Sequence, residues 1–294
     1  LDSQLRILYQ ERASDTNTLG IIHLQKKETF SPVTDGFDDI ILVITENEEV
    51  YWNTHHYRYE DKKVQLITVD KTMLHEWLAA GSNRRAVEWV MHGKIVFDRN
   101  DFVTELKERL IEFPFELRSK RLCVEFGRLI RRYQEGKELL NSGDYLDSFN
   151  QILHALHHWA RLSVIEQGFH PEVTLWKQVK KIDPEIYKLY DELLMGSDIL
   201  AKRLELLLLA SEFSVISKTR LGASHLLDVL GKKKEPWLFE EILAQQEVQE
   251  YSLDLSILLE HLVKKHLVDE VYTETVSGDI KVRAYIVSPN IPSI

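Results

Sequence analysis

The sequence predicts an α+β protein in three parts: an α/β segment over 1–116, a helical bundle over 117–228, and a C-terminal winged helix-turn-helix over 229–294. Three observations predict it. Up to Pro114, short β-branched runs alternate with amphipathic stretches; from there to about Leu230 the apolar period stays near 3.6; beyond that, two helical stretches lead into two β-rich runs. With 294 residues, 44% hydrophobic and 29% charged, the chain is long enough to bury more than one core.

Taken in order, Leu5–Arg12 reads as a helix, Leu19–Gln25 as a strand, Asp39–Thr45 as a strand and Val64–Val69 as another. Helices over Lys71–Ala80 and Asn83–His92 follow, then the short strand "KIVFD" and a helix over Asp101–Glu112. The intervening "NTHHYRYEDKK" reads as an exposed hairpin loop, with an aromatic and basic contact to a nucleic-acid base as the alternative. In the middle segment, Phe149, Ile152, Leu153, Leu156 and Ala160 form one apolar stripe, and Gly168 stops that helix. In the tail, a candidate recognition helix over Leu253–His266 precedes "EVYTETV" and "DIKVRAYIV", which flank a Ser277-Gly278 turn.

Charge narrows the function classes. The net charge of −10 disfavours a whole-surface polyanion binder, since affinity for phosphates comes mostly from lysine and arginine. Only 118–228 is balanced, with 16 basic and 15 acidic residues; 1–117 carries 14 and 21, and 229–294 carries 7 and 11. The single cysteine, Cys123, excludes an intrachain disulfide framework and reads as a buried thiol. No run approaches the ~18 apolar residues of a membrane span, and the opening "LDSQLRILYQERASD" is charged throughout, so a soluble cytoplasmic protein with no membrane partner is expected.

The stretch "TDGFDDIILVI" runs from a turn into two adjacent carboxylates, Asp38 and Asp39, at the mouth of an apolar strand. With the third strand "VQLITVD" and the glycine-led "GKIVFD" ending, the first segment resembles the nucleotidyltransferase superfamily in its small bacterial form, similar to kanamycin and minimal nucleotidyltransferases. The whole chain resembles a group of bacterial nucleotidyltransferase-like proteins that add a helical domain and a helix-turn-helix tail. The resemblance implies a D-x-D pair and a third carboxylate holding two metal ions, plus a Gly-Ser turn for the triphosphate. Here the D-x-D window falls on Asp39-Ile40-Ile41, the third carboxylate on Gln65, and the phosphate turn on "IIHLQKKETFSP", with Lys26 and Lys27. Asp39 is thus the retained metal ligand. A family-type general base in the helical domain would fall on Glu166.

Other constellations bear on binding. "RSKRLCVEFGRLIRR" sets Arg118, Arg121, Arg128 and Arg132 along one helical face, interrupted by Glu125: either a solvated amphipathic surface or an anion-binding wall. "HALHHWAR" puts His154 and His158 one turn apart, a zinc spacing without the glutamate of H-E-x-x-H and otherwise a ligand-facing or solvated face. Three functions follow: a non-catalytic nucleotide- or partner-binding regulator with a degenerate metal site; an active transferase using magnesium on Asp38, Asp39 and Asp98; or a ligand-sensing DNA-binding regulator. The first is preferred because two metal-binding carboxylates are absent. Residues 229–294 are net acidic, so a homodimer or protein contact is expected of the tail rather than specific DNA binding.

Overall fold

The computed structural model describes residues 5–27, 31–46, 52–274 and 280–289. The chain forms two compact units, one of residues 1–114 with 170–174, the other of 115–169 with 175–294.

The first unit begins with α1 (Leu5–Ser14), followed by β1 (Thr18–Gln25), β2 (Asp39–Thr45), β3 (Trp52–Tyr59), β4 (Lys62–Asp70), α2 (Lys71–Ala80), α3 (Arg84–His92), β5 (Lys94–Asp98) and α4 (Phe102–Glu112). The sheet order is β3-β4-β2-β1-β5, with β2 and β4 parallel and the other pairs antiparallel. Because side chains alternate across a pleat, β2 sends Ile40, Leu42 and Ile44 to one face and Ile41 and Val43 to the other. The first set joins Leu74 and Leu78 of α2, Val87 and Val90 of α3, and Val103 and Leu106 of α4. The second set joins Ile21, Val64 and Leu66 beneath Tyr9 of α1. Local chemistry fixes the helix starts: Asp70 accepts the Thr72 N–H at 2.7 Å, and Asn83 accepts the Ala86 N–H at 3.1 Å.

One sequence expectation is corrected here. Residues 52–59 are a full edge strand, β3, paired with β4 from Trp52–Val69 to Tyr59–Lys62, and not a loop. Its side chains are polar or half-exposed on both faces, so no two-residue alternation marks it; only the free edge of β4 makes it a strand.

The second unit is helical at its centre. It comprises α5 (Phe115–Ser142), α6 (Tyr145–Glu166), α7 (Leu175–Ile182), α8 (Pro184–Met195), α9 (Leu200–Gly222) and α10 (Ser224–Leu230). Then come β6 (Trp237–Leu238), α11 (Phe239–Leu243), a 3-10 segment (Gln246–Asp254), α12 (Leu255–Lys264), β7 (Val268–Glu274) and β8 (Lys281–Val287). The strands form a small sheet in the order β6-β8-β7, so helix, short strand, two helices and hairpin follow in winged helix-turn-helix sequence. The Ser277-Gly278 turn lies outside the described residues. Among the described residues no helix is long and apolar enough to cross a membrane.

The tail packs on α5 and α9. Gly127 permits close approach: a Cβ there would stand 3.0 Å from Cβ of Asp254 and 3.1 Å from Leu258. Arg131 Nε donates to Asp254 at 2.5 Å, Lys120 pairs with Glu250 at 2.6 Å, and His261 bonds Thr219 at 2.9 Å. Cys123 is buried, as expected, and burial pushes its thiol up to about 12.

Candidate functional site

At the front of the sheet, Asp39 opens β2 and is 1% exposed. His23 Nε2, two residues along β1 from the register partner Gln25, donates to its Oδ1 at 2.7 Å, while Oδ2 is buried without a polar partner. The residues sharing this face beside it are Ile41 on the same strand and Val64 and Leu66 on β4. Gln65 pairs with Ile40 and therefore points to the face opposite Asp39. A pair of divalent ions needs several hard oxygen ligands. Beside Asp39, a single inaccessible carboxylate, stand His23, the amide of Gln25 and three aliphatic side chains, a donor set that does not fit two magnesium ions.

The other proposed carboxylates are engaged elsewhere. Asp38 accepts the Lys63 N–H at 2.8 Å, and its carbonyl accepts the Lys26 N–H at 2.8 Å, tying the ends of β1, β2 and β4 together. Asp98 pairs with Gly20 whereas Asp39 pairs with Gln25, so about 17 Å of β1 separates them at ~3.3 Å per residue. Asp98 instead caps α4, accepting from the Val103 and Thr104 N–H groups at 2.8 and 3.0 Å and from the Thr104 hydroxyl at 2.7 Å. The set Asp38, Asp39 and Asp98 therefore does not converge. Lys26 is half-buried and Lys27 exposed, both just past the end of β1. In the helical unit, Glu166 receives Lys218 Nζ on both oxygens at 2.5 and 2.6 Å.

The arginine run and the histidine pair do meet, along the seam where α5 packs on α6. His158 Nδ1 donates to Glu125 Oε2 at 2.7 Å, Arg161 stands 3.6 Å from the same oxygen, and Arg128 is 3.9 Å from Oε1. Burial pushes the Glu125 carboxyl up, but the hydrogen bond and charge of His158, with Arg161 and Arg128, outweigh it and leave the group below the usual carboxylate range. Arg121 is 4% exposed, and burial brings its guanidinium down to about 10 against the pull of Glu125. The face expected to be a solvated stripe is thus partly a buried ion network. Each helix brings its polar residues to the other, so neither amphipathic pattern alone revealed the pairing; the acid interrupting the arginine run was the available signal.

Toward solvent the seam opens. Arg132 donates to Gln151 at 2.8 Å and Glu135 at 3.1 Å, and its side chain and that of Arg128 remain about two-fifths exposed. His154 is exposed one turn from His158, and its pKa is lowered by partial burial and then by Arg132, His158 and Arg161. Among the described residues no group of three or more His, Cys, Asp or Glu side chains gathers to hold a metal, so nothing completes a ligand set around His154 and His158.

Comparisons with known proteins agree with this architecture. Residues 1–118 match the family model described as nucleotidyltransferase-like, 119–218 the YgxA-like substrate binding domain, and 224–287 a helix-turn-helix domain. The chain is 40% identical over 293 residues to the uncharacterised protein YgxA of Bacillus subtilis (strain 168), covering 100% of this chain and 99% of that one. It is also similar to the crystal structure of a nucleotidyltransferase-like protein from Exiguobacterium sibiricum 255-15, with TM-score 0.85 and 37% identity over 97% of this chain and 98% of that one.

Proposed function

This chain belongs to the YgxA-like family of nucleotidyltransferase-like proteins, and on that premise we propose that it binds a phosphate-bearing ligand of the nucleotide class without carrying out two-metal nucleotidyl transfer. The observation that carries this reading is the face around Asp39, where Ile41, Val64 and Leu66 stand in place of oxygen ligands and His23 holds the remaining carboxylate. Binding is assigned to the open end of the α5–α6 seam. Arg128, Arg132 and His154 face solvent there, within one or two helical turns of each other on α5 and α6. Guanidinium forks suit phosphate oxygens, and Glu125 with His158 braces the helix pair that presents them.

The test is a thermal-shift series with nucleoside triphosphates and inorganic pyrophosphate, with and without magnesium, beside an assay of pyrophosphate release. The expected result is metal-independent stabilisation, about 2.7 kcal/mol at 100 times the dissociation constant. Arg128→Gln with Arg132→Gln should abolish the shift while the unliganded variant keeps the helical circular dichroism and cooperative unfolding of the wild type. Magnesium-dependent pyrophosphate release that disappears in Asp39→Asn would refute the non-catalytic reading; stabilisation unaffected by the arginine changes would refute the seam.

The helix-turn-helix match favours a second reading, a ligand-sensing DNA-binding regulator. Against it, α12 buries Leu255, Leu258, Leu259, His261 and Leu262, and turns Ser256, Glu260 and Lys264 outward. Arg283 of the wing is held by Glu260 at 2.6 Å and by Glu270, leaving few free cations for phosphates. We therefore expect no sequence-selective duplex binding near physiological salt in fluorescence anisotropy of the full chain against a random-sequence library. Sub-micromolar retention of one enriched motif would turn the assignment toward DNA.

A further inference from the structure

Helix α9 is apolar on two sides. Its inner side, Leu204, Leu207, Leu208, Ser211 and Val215, is buried within the helical unit. Its outer side carries Leu206, Leu209, Phe213 and Ile216, exposed by 54%, 68%, 76% and 47%. Their spacing of three, four and three residues is that of a helix-pairing seam, and Ile199 and Met195 continue the apolar surface before the helix start. Such side chains leave on the order of 100 Å² each in water, so the patch is about 600 Å², at the upper end of what a monomer usually exposes. A helix with this much apolar surface on its outward side is partnered in most proteins.

We infer that this face seats the same helix of a second copy of the chain, running antiparallel. The face is self-complementary. The pattern reads the same in both directions, so a reversed copy sets Leu209 on Phe213 and Leu206 on Ile216, twice over by symmetry, as an isologous interface requires. Two of the flanking cations are paired within the chain: Lys202 bonds Asp198 at 3.1 Å, and Lys137 lies 3.7 Å from Glu212; exposed Glu205 adds one acid to the border. With two neutralised pairs and one acid at its border, the face has no strong charge preference, and the reversed register sets Glu205 beside the neutral Ser217. The reversed register opposes Lys202 to Arg220 only at the outer ends, where Asp198 supplies a counter-charge. Two patches of this size approach the area of a standard interface, ~800 Å² per partner, once the polar rim is added. The inference stands on α9 alone and is independent of the ligand assignment.

Light scattering of the full chain at micromolar concentration tests it. A particle of twice the chain's 34.5 kDa is expected, falling to a monomer in the double variant Leu209→Glu, Phe213→Glu with unchanged helical circular dichroism. A monomeric wild-type chain would assign the stripe to another protein or to another segment of the same chain and overturn the proposal. A dimer that survives the double variant would overturn it equally. Should that variant fail to fold, Leu209→Cys and Phe213→Cys chains mixed with a short bis-maleimide give a second measurement, since the native Cys123 is buried. The mixture should cross-link faster than either variant alone; equal rates, or no cross-link, refute the antiparallel pairing.

Discussion

Replacing Glu125 with glutamine should destabilise the chain by about 3–5 kcal/mol, the range for breaking a buried ion pair by removing one partner. The residue is 8% exposed and faces His158 at 2.7 Å, Arg161 at 3.6 Å and the buried Arg121. Without its charge, the Arg161 guanidinium and the His158 imidazole lose the carboxylate they face at low exposure, which is why the loss exceeds that of a surface pair. The pH dependence carries a second signature. Since the folded carboxyl sits below its unfolded value, its contribution is complete above about pH 4.3 and is lost as pH falls through the depressed value. Urea unfolding of wild type and variant across that range should therefore converge on the acid side. A variant with wild-type stability at neutral pH would show that the network is neutral in energy.

Acidification should also weaken the packing of the tail through His261. The imidazole is buried, stands edge-on to Phe126 at 5.7 Å, and bonds Thr219 at 2.9 Å. Thr219 donates its hydroxyl proton to Val215 O at 2.8 Å, so His261 Nε2 is the donor to the Thr219 hydroxyl oxygen. Burial first, then Lys265 and Lys264, bring its pKa down to about 4. Between pH 6.5 and 4 the unfolded chain takes up a proton that the folded chain refuses, so stability falls as pH falls, by up to ~1.4 kcal/mol per unit and roughly 3 kcal/mol in all. His75, His154 and His225 are shifted in the same direction and add to the slope. His261→Gln retains an amide donor for Thr219 and cannot titrate, so its stability should decline less steeply from pH 7 to 5. An identical slope in both proteins would show that His261 is not responsible.

Much of this molecule was legible in the residues. The order of strands and helices up to Glu112 apart from β3, the helical middle and the hairpin-bearing tail follow from local periodicity, because a helix face and a strand face repeat at different intervals whatever surrounds them. That Ile41 shares a face with Asp39 was legible for the same reason, since the two stand two residues apart on one strand. What the sequence alone could not determine depends on register and on distant partners. The side of the sheet that Gln65 occupies is set by the offset between β2 and β4, and one residue of slip would reverse it. The distance between Asp98 and Asp39 is set by where each pairs along β1. The edge strand β3 exists because β4 offers unpaired backbone groups. The arginine run became a buried network only when α6 brought His158 and Arg161 to Glu125, and the outer leucines of α9 became distinguishable from core leucines only once the other side of the helix was buried. Local sequence determines which faces are apolar; which of those faces is covered, and by what, is decided by contacts between segments far apart in the chain, where the free energy of burial resides.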